Sequence, residues 1–224
     1  MIECRVFPDL EADDTELLAR LRVLPSSVIS DSMERIGSVR GVSAVTRSVR
    51  LGRRRMVGHA LTVRTAHGDN LVVHQALELV RPGRVLVIDA GGEPDRAIVG
   101  EIMCTYAMSR SAAGIVVGGA IRDFAELAAG ELPVFAAGII SQGPYKNGPG
   151  SIGGVVAVGG QVVSNGDIVI GDADGVIVLP RENAARIAAM AEARRGDEIR
   201  TLRAIRSGSY EPTWLKDSVK PVYT

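Results

Sequence analysis

Two short apolar runs, VLVI at 85–88 and GIVVGGAI at 114–121, show no alternation of polar and apolar residues. A strand with one wet face alternates, whereas an uninterrupted run is covered on both faces, as parallel strands between helices are. Both runs end in glycine or charge: AGGEPDR follows the first and Arg122-Asp123 the second. In sheets of this kind small ligands enter the crevice beyond the carboxyl ends of the strands. Arg122 and Asp123 are therefore expected to face a cleft.

The neighbouring segments fit the same plan. Residues 56–65, MVGHALTVRT, read as a strand, and LVVHQALELV after Asp69 has the Leu71, Val72, Gln75, Leu79 spacing of a helix. AIVGEIMCTYAMSR reads as a second helix, beginning as late as Gly100, and PVFAAGI at 133–139 as a further strand. Beyond Val155, VVAVGGQVV, DIVI and GVIVL are short strands separated by turn signals, NGD and GDADG, so parallel and antiparallel pieces should share one sheet system. Ahead of the strands, Asp13 or Asp14 can cap a helix carrying Leu17, Leu18 and Leu21 that ends at Pro25. Ser26 or Ser27 can cap another, with Val28, Ile29, Met33 and Ile36 on one side and Gly37 as its stop. A long helix is expected from about 181 to 205, followed by a polar tail in which Trp214 suits a subunit contact better than a core.

At 224 residues with a net charge of zero and few aromatics, the chain is expected to form one domain. There is no electrostatic footprint for nucleic acid or an anionic membrane, and no apolar run approaches the length of a membrane span. Cys4 and Cys104, without a CxxC motif, are expected to be reduced thiols in a cytoplasmic protein. The partner that remains is a small molecule.

Arg122 offers a planar fork for a carboxylate, and Asp123 a hard oxygen ligand for Mg²⁺ or Mn²⁺. The competing reading is a turn salt bridge with Asp123 capping the helix that follows. If a helix starts near Gly100, the backbone N–H groups of Glu101, Ile102 and Met103 form a site for a carboxylate. GPGSIG at 148–153 matches GxGxxG, but Pro149 lies inside it and strands follow, so it is read as accidental and the loop around Lys146 and Asn147 as mobile. His59, His67 and His74 are read as core or surface histidines, and Asp167, Asp172 and Asp174 as turn residues.

GHALTVRT, Gly100-Glu101, GGAIRD and NGDIVIGDADGVIVLP, in that order, resemble the RraA-like family. That family includes class II 4-hydroxy-4-methyl-2-oxoglutarate and 4-carboxy-4-hydroxy-2-oxoadipate aldolases and the regulator of ribonuclease E activity A. Its aldolases carry an acid, twenty residues and then Arg-Asp, which Glu101 and Arg122-Asp123 reproduce, with Glu where Asp is usual. The resemblance implies an α/β fold, a ββα swivelling-type sandwich with mixed sheets, assembled as a homotrimer or hexamer. Residues 1–40 would be its helical prefix and 181–224 its C-terminal helix and tail. It implies a divalent-metal-dependent aldolase releasing pyruvate from a 4-hydroxy-2-oxo acid, with oxaloacetate decarboxylase activity alongside. In that scheme Asp123 holds the metal, and Gly100 through Met103 with Arg122 bind the substrate. Arg122 and Glu101 act in catalysis, and Glu198 reaches a neighbouring subunit's site. The alternatives are a non-catalytic regulator of ribonuclease activity and a sugar-acid lyase using the same enolate chemistry.

Overall fold

The computed structural model describes residues 2–9 and 14–220. Four strands lie parallel at its centre, in the order Met56–Thr65, Arg84–Asp89, Gly114–Ile121 and Val134–Ile139. The Gly114–Ile121 strand is buried along its whole length, and Met56–Thr65 everywhere but Arg64, as continuous apolar runs require. Helices Leu71–Glu78, Glu101–Ser109 and Phe124–Ala129 lie in the three connections between these strands, because parallel neighbours cannot be joined by a tight turn.

The two faces of the sheet sort by residue parity. Leu61, Val63, Leu86, Ile88, Ile115 and Val117 pack with Val73, Leu77, Met103 and Ala107 of the helices. Their neighbours Ala60, Val85, Val87 and Val116 turn the other way, onto Phe135 and the Val156–Val158 and Gln161–Val163 hairpin. The sheet then becomes antiparallel, as the expected mixture requires: Ile168–Asp172 pairs with Met56–Thr65, and Gly175–Leu179 with Ile168–Asp172. Against those strands pack the prefix helices and the long C-terminal helix through Leu21, Ile29, Ile168, Ile170, Ile187 and Ala191. That helix runs Ala184–Arg206 after a single 3₁₀ turn at Arg181–Asn183. None of the helices among the described residues is long and apolar enough to cross a membrane.

Several local expectations need correction. Ala97–Val99 is a short strand beside Gly114–Ile121, so the helix read from 97 begins only at Glu101. Local spacing could not reveal this, because the strand is specified by the edge it pairs with. The second prefix helix covers only Ser26–Asp31, and Ile36 is 67% exposed instead of sharing its buried side. Asp13 lies outside the described residues. Asp14 stands at the first helix's N-cap without a capping bond and instead pairs with Arg181 at 2.9 Å.

Nor does Ser26 or Ser27 cap the second helix by its own hydroxyl. Asp172, read as a turn residue, accepts from the Ser26 N–H at 2.8 Å and the Ser26 hydroxyl at 2.6 Å, and it also closes its own turn onto the Asp174 N–H at 3.0 Å. Because Asp172 is buried, Asp172→Ala strands two donors of the prefix without water. It is expected to cost about 2–4 kcal/mol, read as a lower urea midpoint at unchanged slope.

Candidate active site at the ends of two buried strands

Where the Gly114–Ile121 strand ends, the Arg122 N–H donates to the Val99 carbonyl at 3.0 Å, which ties the exit to the short neighbouring strand. Asp123 then takes left-handed backbone angles, φ 55° and ψ 45°, a region Asp tolerates better than most residues. This turns its carboxylate away from the Phe124–Ala129 helix, which it does not cap. Its Oδ2 instead accepts from the Glu101 N–H at 2.9 Å, at the start of the adjacent Glu101–Ser109 helix. Gly100 is the N-cap of that helix, and a Cβ there would overlap Asp123 Oδ2 and press on Arg122 Cγ and Nε at 3.1 and 3.2 Å. Both functional side chains therefore cross directly over Gly100.

The result is an open cleft of about 270 Å³, a small-metabolite size. Its walls include Gly100, Ile102, Met103, Arg122 and Asp123. Arg122 Nε lies 3.6 Å from Asp123 Oδ2, and the two side chains are 45% and 37% exposed, so the pair is loose and both groups remain open to a ligand. Asp123 Oδ1 makes no hydrogen bond among the described residues. As first-turn groups, the Ile102 and Met103 amides have no intrahelical acceptor, and they too donate to nothing among the described residues. Burial, and then the nearby Asp123 charge, push the Cys104 thiol up to about 12, so it stays a neutral part of the helix packing and not a nucleophile.

Three hollows are wider, about 720 Å³ along the C-terminal helix, about 680 Å³ between the Thr15–Arg22 helix and His59, and about 430 Å³ beside Arg64 and Gly150. None of them joins a guanidinium, a free carboxylate oxygen and unpaired helix amides at the carboxyl ends of parallel strands, so the smaller cleft is the stronger site. A family model for RraA-like proteins, described as Aldolase/RraA, matches residues 26–178, which contain all of this machinery. The chain belongs to the RraA-like family. A relative from Halalkalibacterium halodurans, provisionally named a 4-hydroxy-4-methyl-2-oxoglutarate aldolase, is 34% identical over 194 residues, 86% of this chain and 90% of the relative. A Streptomyces coelicolor protein described as an unusual member of the RNase ES inhibitor RraA family has a TM-score of 0.74 at 27% identity, covering 85% of this chain and 98% of its own. An uncharacterized Pseudomonas syringae protein shares the fold at a TM-score of 0.80 and 24% identity, covering 91% of this chain and 94% of its own.

Within this RraA-like fold, the structure brings Gly100, Ile102, Met103, Arg122 and Asp123 to one cleft. Glu101 differs: its N–H faces the site through Asp123, but its side chain lines a separate hollow with Thr105, Glu126 and Glu131. Consecutive helical side chains diverge by about 100°, so with Ile102 and Met103 on the cleft side Glu101 falls toward the next helix. Glu198 is on the outer half of the C-terminal helix, held by Arg195 at 3.0 Å, and does not line its own chain's cleft. GPGSIG enters the Gly150–Ile152 strand with no helix after it, as expected of an accidental match.

The loop read as mobile is pinned. Buried Asp69 accepts from the Asn147 and Gly148 N–H groups at 2.6 and 2.8 Å, and the Tyr145 N–H donates to the Gly68 carbonyl at 2.8 Å. Arg96 stacks on Tyr145 at 4.0 Å and donates to the Gly143 carbonyl at 2.9 Å. Sequence reasoning consequently missed Asn70, His74 and Lys146, which also line the cleft. The available signal was Asn70 and His74, four residues apart across a helix start, on one face.

Proposed function

We propose that this RraA-like chain is a lyase that cleaves a 4-hydroxy-2-oxo acid to pyruvate. The observation that carries it is the convergence, in one cleft, of the Arg122 fork, the free Asp123 oxygen and two unpaired helix amides. The amides of Ile102 and Met103 suit the C1 carboxylate, because a helix start favours an anion. Arg122 suits the C2 oxygen, where negative charge builds as the bond breaks.

The bond change is a retro-aldol step. The C4 hydroxyl loses its proton to water in the open cleft, the C3–C4 bond breaks, and its electron pair becomes the enolate of pyruvate while a carbonyl forms at C4. Protonation of the enolate carbon releases pyruvate. Oxaloacetate gives the same enolate when its C3–C4 bond breaks with loss of carbon dioxide, so decarboxylation accompanies the aldolase reaction. Glu101 serves this site as a positioning residue, its N–H holding Asp123 in place.

The residues also fit a divalent cation. No group of three or more His, Cys, Asp or Glu side chains suited to a metal exists among the described residues. A cation here would be held by Asp123, with water and substrate oxygens completing a shell of the kind Mg²⁺ favours. When bound it supplies Lewis-acid polarisation of the C2 carbonyl.

The test is pyruvate formation from 4-hydroxy-4-methyl-2-oxoglutarate and from oxaloacetate, coupled to lactate dehydrogenase, above the rate without protein. Pyruvate is expected with Mg²⁺ or Mn²⁺, lost with EDTA and restored by excess metal. No pyruvate from any 2-oxo acid with metal present would overturn the lyase reading. It would favour the non-catalytic regulator, the reading that the Streptomyces coelicolor relative suggests by its description as an unusual member of the RNase ES inhibitor RraA family.

A further inference from the structure

Arg122 has to present its fork in one direction, yet few polar contacts hold it there. Beyond the contact with Asp123 at 3.6 Å, its guanidinium makes no hydrogen bond or ion pair among the described residues. Shape confines it instead. Along its stem lies Gly100, where a Cβ would come within 3.1 Å of Arg122 Cγ and 3.2 Å of Nε. At its tip lies Gly143, where a Cβ would sit 3.2 Å from Arg122 Nη1. Both positions are bare, so the backbone can approach the side chain closely.

Gly100 is fixed as the N-cap of a helix, whereas Gly143 belongs to no helix or strand and needs an anchor. The loop is tied at Gln142, whose carbonyl accepts from the Ala97 N–H at 2.8 Å, and at Tyr145, whose N–H donates to the Gly68 carbonyl at 2.8 Å. Gly143 itself makes one hydrogen bond among the described residues: its carbonyl accepts from Arg96 Nη1 at 2.9 Å. Arg96 is well held in turn. Its guanidinium stacks on the Tyr145 ring at 4.0 Å, its Nη2 donates to the Tyr145 hydroxyl at 2.8 Å, and its stem crosses Gly68, where a Cβ would lie 2.7 Å from Arg96 Cδ. A planar cation can stack and donate at once, which an ammonium cannot. Arg96 is not among the residues that line the cleft.

We propose that Arg96 is the positioning residue for Arg122. It touches no substrate and acts through Gly143, whose backbone it holds against the Arg122 guanidinium. This assignment rests on the keto-acid reading of the cleft, in which the direction of the Arg122 fork decides how well the C2 oxygen is met.

The test is kcat for pyruvate release in saturating Mg²⁺, from whichever of 4-hydroxy-4-methyl-2-oxoglutarate and oxaloacetate the wild type converts faster. The proteins compared are wild type, Arg96→Met, Arg122→Ala and the double variant. Methionine keeps a long stem over Gly68 and loses the fork. Arg96→Met is therefore expected to stay folded and to lower kcat about 10- to 100-fold with KM little changed, as misdirection of a catalytic group does. Arg96→Lys can still donate to the Gly143 carbonyl and should recover part of that loss. In the Arg122→Ala background Arg96→Met should cost less than about 2-fold, because nothing is left to position. Gly143→Ala leaves Arg96 in place and presses directly on Arg122 Nη1. Its loss should be smaller, about 3- to 10-fold, and should vanish in the same background, so it decides the matter if Arg96→Met fails to fold. Wild-type kcat in folded Arg96→Met, or a loss from either substitution that persists in full without Arg122, overturns the positioning role and leaves the keto-acid site standing. If wild type releases no pyruvate, or Arg122→Ala releases it at the wild-type rate, the keto-acid reading itself falls, and this one with it.

Discussion

Replacing Arg122 with alanine is expected to lower kcat for pyruvate release by about 10²- to 10³-fold, the loss typical when one preorganised donor to a developing oxyanion is removed. The effect belongs in kcat more than in KM, because charge on the C2 oxygen grows toward the transition state while the C1 carboxylate stays on the Ile102 and Met103 amides. Stability should barely change. Arg122 is 45% exposed, and its contact with Asp123 at 3.6 Å is an ion pair of the half-exposed kind that contributes little to folding. Arg122→Lys, which keeps the charge and loses the fork, is expected to fall between alanine and wild type. The measurement is the coupled pyruvate assay with saturating Mg²⁺, alongside a thermal melt. A folded Arg122→Ala protein with wild-type kcat would remove the oxyanion role and with it the mechanism.

Much of the frame was legible in the sequence because its signals are local. The uninterrupted run at 114–121 identified a doubly covered strand, and the abrupt change to Arg122-Asp123 identified its exit. What local pattern could not supply was direction and distance. Ala97–Val99 looks helical until the Gly114–Ile121 edge is placed beside it. Glu101 carries the spacing of a catalytic acid, yet the helical rotation sends its side chain to the neighbouring hollow and leaves only its N–H at the site. Lys146 looked like part of a mobile loop because its anchor, Asp69, is nearly eighty residues earlier in the chain. His74 reads as a core or surface histidine, and the structure adds that its buried Nε2 has no hydrogen-bond partner among the described residues. Asp123 reads either as a metal ligand or as the cap of its own helix; its left-handed backbone gives up that cap, and its carboxylate accepts from the start of another helix with one oxygen left over.

Gly100→Ala tests the same geometry without touching any group that does chemistry. The residue has extended backbone angles, φ −144° and ψ −170°, so alanine meets no backbone strain there. The conflict is steric: the new methyl overlaps Asp123 Oδ2 and lies 3.1 Å from Arg122 Cγ and 3.2 Å from Arg122 Nε. All three atoms belong to side chains that are partly exposed and can swing aside, so the fold survives by moving the site. Loss of a favourable N-cap residue costs about 1 kcal/mol, whereas displacing a catalytic group by about 1 Å can cost on the order of 100-fold in rate. The expected result is therefore a protein that melts within a few degrees of wild type and has lost at least about 100-fold in kcat/KM. Gly196→Ala is the matched control, because it sits in the Ala184–Arg206 helix with only Arg200 Nη1 nearby, at 3.5 Å. There alanine should add up to about 1 kcal/mol of helix stability and leave turnover unchanged. Wild-type kcat/KM in Gly100→Ala would show that Arg122 and Asp123 need not cross over this glycine to act, and the cleft would lose its claim to be the active site.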